Sequence, residues 1–296
     1  MISFSLAAAV FWGFAFAFQR LATESLGALS FNFFRGILAT AALGVITAVR
    51  VKRGLQVCSR EGRRAFWLGG AVCGALLCAA VNLQQIGLEE TSASTAGFLT
   101  ALYIILVPFI EVVFLRRRVP VRLWISIAAA LAGLYLLSVK GGFVVGRGDA
   151  VIMLSGVMFA LQVLAVDRYV KGVDPLALCC VQFGVCTVLS GLGALFFEHP
   201  SWQDAAGCLG ALVYVGVVSG GLGYGAQTAA QKYGPPETVS LITSTESLFS
   251  ALGGAVILAE RLPPREGLGC AVMFAAVLLS QLPAAWFRRR REHSTV

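Results

Sequence analysis

The sequence predicts an all-α integral membrane protein of ten transmembrane helices arranged as two inverted five-helix repeats. Three observations carry that prediction. Of the 296 residues, 58% are hydrophobic and only 13% charged, whereas a soluble domain carries roughly 25% charge. With a mean hydropathy of +0.82, so few polar side chains cannot cover a body of this size, and lipid must cover most of it. Apolar stretches long enough to span hydrocarbon recur along the whole chain, and the lysines and arginines gather in alternate connections between them.

The apolar segments fall at 3–20, 29–49, 66–86, 92–115, 119–139, 149–167, 175–197, 206–227, 236–259 and 266–286. Each is close to the roughly 20 residues that a helix needs to cross about 30 Å of hydrocarbon. The first lacks a basic leading region and a small-x-small cleavage site, so it is predicted as a retained helix and not a signal peptide. The sixth has the least certain limits, because Asp149 and Asp167 stand at its two ends. Barrel strands are excluded: the runs lack period-2 alternation and are about twice the length of a tilted strand.

With the N-terminus in the cytoplasm, the even-numbered connections and the C-terminus are cytoplasmic too. They hold Arg50, Lys52, Arg53, Arg60, Arg63, Arg64, Arg116 to Arg118, Arg122, Arg168, Lys171, Lys232 and Arg288 to Arg291. The other face holds only Arg20, Lys140, Arg147, Arg261 and Arg265, and Arg35 lies within a helix. That asymmetry orients the chain by the positive-inside rule and predicts a multi-pass protein of the cytoplasmic (inner) membrane. It also accounts for the net charge of +8: the cations sit beside anionic lipid, and no nucleic acid partner is needed. The eight cysteines form no CxxC or Cys/His cluster, and only two histidines exist. They are expected as small packing residues, with no metal site.

Two stretches resemble each other across the midpoint. Residues 91–139 and 235–281 each read as a long apolar helix, a tight charged turn ending at Pro120 or Pro264, and a second apolar helix closing in Leu-Leu-Ser. At a similar offset GAVCG (70–74) answers GVVSG (216–220), and FNFFRG (31–36) answers LCCVQF (178–183), which sets Arg35 opposite Gln182. Five helices per copy is an odd number, so the second copy must enter the membrane inverted, the plan from which many secondary transporters build two gates around one site. Gly70xxxGly74 and Gly216xxxGly220 either let helix backbones pack closely or are simply tolerated in a glycine-rich chain. The expected units are 3–139, 149–286 and a basic cytoplasmic tail, 287–296.

The early Phe-Trp-Gly (Phe11–Gly13), Arg35 in the second helix and the stretch STESLFSALGGAVILAERLPPREGLG (Ser244 to Gly269) resemble the pattern of EamA-type members of the drug/metabolite transporter superfamily. The resemblance covers residues 3–286. Glu246 stands where that family often has the glutamate of Leu-Glu-Pro, and Glu260 where it has the glutamate of a Gly-Glu-Arg turn. The first copy departs from it, with Leu102-Tyr103 in place of the acidic element and Arg116 in place of the turn glutamate; Ser247 replaces the proline after Glu246. The resemblance implies a secondary carrier, often an exporter of amino acids or other small metabolites, that works by rocking two inverted halves. It implies no cofactor and no ATP.

An ionisable residue inside a membrane helix is a candidate functional residue by default. Glu246 is about ten residues into the ninth segment, near half depth at about 1.5 Å per residue, where it could exchange a proton as access alternates or serve as an interhelical hydrogen-bonding group. Arg35 either attracts a carboxylate-bearing cargo or snorkels to the headgroups. Glu111, close in sequence to Arg116–Arg118, is expected in a membrane-edge ion pair. Trp12, Phe16, Asn82, Gln85, Tyr103, Gln162, Gln182, Tyr224 and Gln227 are candidates to line a small-molecule path; each could equally make interhelical contacts. An intramembrane enzyme is disfavoured, since no HExxH or GxSxG is present, and GLGYGA (221–226) lies inside a membrane segment with no strand before it. A channel or a non-transporting scaffold remains as the alternative, against which stand the lack of a filter-like loop and of a soluble signalling domain.

Overall fold

The structure is a computed structural model that describes every residue except Glu24, Glu61, Ser92 and the stretches 139–145, 258–263 and 283–296. The expected tail, 287–296, therefore lies outside the described residues, as do Glu260, Lys140 and Arg261. The described chain is helical nearly throughout. Its elements are α1 (Ile2–Ala22), α2 (Ala28–Lys52), α3 (Arg63–Glu90), α4 (Ala93–Ala101), α5 (Tyr103–Val113), α6 (Val121–Ser138), α7 (Arg147–Tyr169) and α8 (Pro175–Phe197). Short helices α9 (Trp202–Gly207) and α10 (Leu209–Val213) lead into a π-helical segment, Tyr214–Gly223, followed by α11 (Tyr224–Tyr233), α12 (Pro236–Thr243), α13 (Glu246–Ile257) and α14 (Pro264–Gln281).

Seven helical stretches among the described residues are long and apolar enough to cross a membrane, counting Thr95–Val113 and Leu209–Tyr233 across their internal breaks. Val121–Leu136 and Gly267–Gln281 are shorter apolar helices. The protein is thus an all-α, multi-pass membrane protein. Its outward faces carry large apolar side chains: Phe114, Val121, Phe196 and Phe197 are all exposed, an arrangement that lipid, and not water, stabilises.

Local chemistry sets several helix ends. Asp174 caps α8, its carboxylate accepting from Ala177 N at 3.0 Å, and Pro175 follows at the first helical position, where a missing N–H costs nothing. Two segments expected as continuous helices are broken instead. The fourth breaks between α4 and α5, where Leu102 N donates to Leu99 O and Ile105 N to Leu102 O. The ninth breaks between α12 and α13, where Thr245 N donates to Ile242 O and Leu248 N to Thr245 O. Both are the same tightening to i→i−3 bonds, 143 residues apart in sequence.

Packing across the chain follows the same correspondence. α2 lies along α8, α6 along α14, and α3 along both α7 and α8, while α1 and α2 pack on the π segment. Gly74 of α3 faces Gln182 O, 2.6 Å from where its Cβ would stand, and Gly216 of the π segment faces Arg35 O at 2.8 Å. Both GxxxG pairs therefore bring backbones together between the first and second halves of the chain. Near the middle of α2 and α8, Thr40 Oγ1 and Thr187 Oγ1 meet at 3.4 Å. Gln85 of α3 donates to Gln19 O of α1 at 3.3 Å, and Gln231 of α11 donates to Val163 O of α7 at 2.7 Å. Each is a glutamine late in one helix holding the backbone of another, at corresponding places in the two halves.

One end of the bundle gathers Arg50 with Asp174 (2.9 Å), Lys232 with Val173 O and Arg117 with Asp167 (2.9 Å). The other end gathers Arg20 with Leu88 O, Thr91 with Asp149, and Glu198, whose two oxygens accept from Leu29 N and Ser30 N at the start of α2. Glu111 does form the expected ion pair, with Arg117 at 3.1 Å. These clusters mark the two ends of the bundle, and polar space lies between them.

Candidate functional site

That space is a narrow central cavity of about 40 Å³. α1 contributes Trp12, Ala15, Phe16 and Gln19, spaced so that one helical face presents all four. α2 adds Arg35, α3 adds Gln84, and Thr100 and Tyr103 flank the break between α4 and α5. Phe159 and Val163 come from α7, Ser219 from the π segment, Tyr224 and Gln227 from α11, and Glu246 from the first turn of α13.

Two ionisable side chains face this space. Glu246 is 4% exposed and Arg35 5% exposed, and neither has an ion-pair partner among the described residues. Arg35 does not snorkel: its guanidinium carbon lies 5.8 Å from the centroid of the Phe31 ring inside the bundle. Burying a charge without a partner costs on the order of several kcal/mol. Starting a helix at Glu246 offsets part of that cost, because helix N-termini favour a carboxylate.

The remaining wall is aromatic and amide. Trp12 and Tyr224 pack with ring centroids 4.6 Å apart, and Phe183 backs Tyr224 at 5.2 Å. Trp12 Nε1 donates to Ser219 O at 3.2 Å, a close approach that Gly223 permits: a Cβ there would stand 2.8 Å from the indole nitrogen. The glycines of GLGYGA thus serve helix packing. Tyr103 Oη meets Thr243 Oγ1 at 2.8 Å, and Gln84 donates to Thr100 Oγ1 at 3.1 Å. Gln227 Oε1 is buried with no hydrogen-bond partner, an acceptor available to a ligand. Among the described residues no group of three His, Cys, Asp or Glu side chains could hold a metal.

Of the residues singled out from the sequence, Trp12, Phe16, Arg35, Tyr103, Tyr224, Gln227 and Glu246 meet at the cavity. Asn82, Gln85, Gln162 and Gln182 do not line it. Asn82 joins α2, α3 and α8 through Asn32 (2.9 Å) and Ser190 (2.9 Å), Gln85 holds Gln19 O, and Gln162 donates to Gln182 Oε1 at 2.9 Å. These are the interhelical contacts that sequence left open for them. Sequence reasoning missed Gln19, Gln84, Thr100 and Ser219. Gln19 extends the Trp12–Phe16 stripe by one turn and could have been found; Gln84 differs from Gln85 by one helical step of about 100°, which sequence could not phase.

A multi-pass helical bundle around a buried, charged, aromatic-walled cavity is the architecture of a membrane transport protein. The model of the EamA-like transporter family matches residues 1–139 and again 146–282, and the chain belongs to that family. Among its relatives, an uncharacterized transporter of Archaeoglobus fulgidus is 24% identical over 275 residues, covering 93% of this chain and 83% of that one. The uncharacterized transporter YwfM of Bacillus subtilis is 28% identical over 285 residues, with 93% and 92% covered. A crystal structure 18% identical in sequence superposes with a TM-score of 0.77 over 96% of this chain and 97% of its own, which shares the fold. Family membership makes the protein a transporter and not an enzyme.

Proposed function

We propose that the protein is a secondary active transporter that exports amino acids or related small metabolites by alternating access, with protons as the coupling ion. The observation that carries this is the pairing of Arg35 and Glu246 on one cavity without neutralising partners. A cation, a carboxylate and an orphan amide oxygen against aromatic walls suit a small cargo with a carboxylate, N–H donors and an apolar side chain. Arg35 is assigned to the cargo carboxylate, Trp12, Phe16 and Tyr224 to its apolar part, and Gln227 and Tyr103 to its polar groups. Glu246 takes up and releases the proton.

Ten crossings in two inverted repeats, 3–139 and 149–286, both termini cytoplasmic, give this cavity its two gates. Supporting that architecture are the twofold family match, the equivalent helix breaks and the charge asymmetry of the connections. Asn82, Gln85, Gln162 and Gln182 support the wall from behind.

Counterflow in proteoliposomes tests the proposal. Vesicles preloaded with an unlabelled amino acid should transiently accumulate the labelled one, because a carrier exchanges cargo. Equilibration without overshoot would show a channel, and no flux of any amino acid would remove this cargo class.

A further inference from the structure

We propose that an outward-facing groove between α1, α2, α8 and α11 binds an anionic glycerophospholipid at the end of the bundle that carries Lys232. The inference is independent of the cargo assigned above. The groove has about 650 Å³ of space open to the bundle exterior. Phe4, Phe11, Ile46 and Leu222 are among its walls, and they are apolar along its length. In a membrane such a groove is filled by acyl chain.

Its polar chemistry is confined to one end, where α2 and α11 finish and α8 begins. Arg50, Asp174 and Lys232 all line the groove there. The Asp174 carboxylate is already engaged by Arg50 at 2.9 Å and by the N-terminus of α8. Lys232 donates to Val173 O at 3.0 Å and has no carboxylate partner among the described residues. Further across that end, Asp167 and Glu111 are bonded to Arg117, and Asp167 also to Lys171. The Lys232 ammonium thus stands without an ion-pair partner among the described residues at the mouth of an apolar groove, beside the exposed Tyr233, with Glu237 across the adjoining vestibule. A phosphodiester satisfies that charge, and its chains fill the groove. A zwitterionic headgroup would bring a second cation to the same place.

The groove and the cavity share a wall. Leu222 faces the groove, while Ser219, Tyr224 and Gln227 from the same stretch line the cavity. Lipid in the groove therefore buttresses the cavity from outside.

Native mass spectrometry of the delipidated full chain in detergent tests this, titrated with phosphatidylglycerol, with phosphatidylcholine of the same chains, and with glycerol phosphate alone. Wild type should retain one phosphatidylglycerol at a concentration at least tenfold lower than phosphatidylcholine, and glycerol phosphate should not bind. Lys232→Gln, an exposed change that spares folding, should abolish the preference. Gly221→Leu, whose Cβ would meet Ala42 at an ordinary 3.5 Å, should weaken both lipids by filling the groove. Equal retention of the two lipids by wild type, a preference unchanged in Lys232→Gln, or glycerol phosphate binding as well as the lipid would each overturn the proposal.

Discussion

Tyr103 Oη lies 2.8 Å from Thr243 Oγ1, and this hydrogen bond ties together the two places where membrane helices break. Tyr103 opens α5 just after the first break, and Thr243 closes α12 just before the second. Glu246 follows within one turn. Discontinuous helices are the usual place for a transported ligand, because irregular backbone at membrane depth is tolerated where it lines a cavity. Here the first break is marked by a tyrosine and the second by a carboxylate, so the two halves of the site are chemically unequal.

Removing that hydroxyl should separate function from folding. Tyr103→Phe keeps the ring and loses a bond worth about 0.5–1.5 kcal/mol. The purified variant should stay folded with a slightly lower melting temperature, while its exchange rate falls several-fold. Unchanged exchange would show that the bond between the breaks has no part in transport.

Backbone packing gives a second contrast. Gly216→Leu would force a side chain against Arg35 O, where even a Cβ would stand at 2.8 Å, and overpacking of this sort costs about 1–3 kcal/mol. Gly210→Leu meets nothing within 4 Å and should be neutral. Thermal unfolding of the two variants in one detergent checks this; similar melting temperatures would contradict the packing described for the π segment.

The ion pairs near Arg117 should act as a latch. The carboxylates of Asp167 and Glu111 hold the Arg117 guanidinium above its usual pKa. A raised pKa contributes stability that is present below the unfolded value and lost only as the pH rises through the folded one, so Arg117 keeps its charge across the physiological range. Asp167→Asn should therefore loosen this end. A cysteine at buried Gln231, which lines the vestibule there, should react several-fold faster with a small maleimide in the Asp167→Asn background. Equal rates would show that the pairs do not restrain opening.

Orientation is testable with the native thiol of Cys58, in the basic connection before α3. In a background lacking the other cysteines, an impermeant reagent applied to intact cells should miss Cys58 and label a cysteine placed at Gln203. Labelling of Cys58 from outside would invert the proposed topology.

Much of this was legible in the sequence, for identifiable reasons. Composition and segment length dictate a membrane bundle, because hydrocarbon demands long apolar helices whatever their neighbours. Glu246 and Arg35 stood out because charge inside such a helix is rare. The breaks beside Tyr103 and Thr243 were not legible: no proline or glycine sits at either, and the change is only a switch from i→i−4 to i→i−3 hydrogen bonds. Helix phase was also out of reach, so the sequence points to Gln85 and not to its neighbour Gln84, and Gln162 and Gln182 bond to each other. The aromatic stripe from Trp12 to Phe16 was easier, since positions four apart share a face.

The most direct test of the account is gradient-driven flux of purified wild type and Glu246→Gln in proteoliposomes, normalised to reconstituted protein and measured at several external pH values. Gln keeps the shape and hydrogen-bonding capacity of the buried side chain but cannot titrate. If Glu246 carries the coupling proton, pH-driven flux should collapse in the variant while exchange at equal pH survives. Equal flux with an unchanged pH profile would contradict the account and remove Glu246 from coupling.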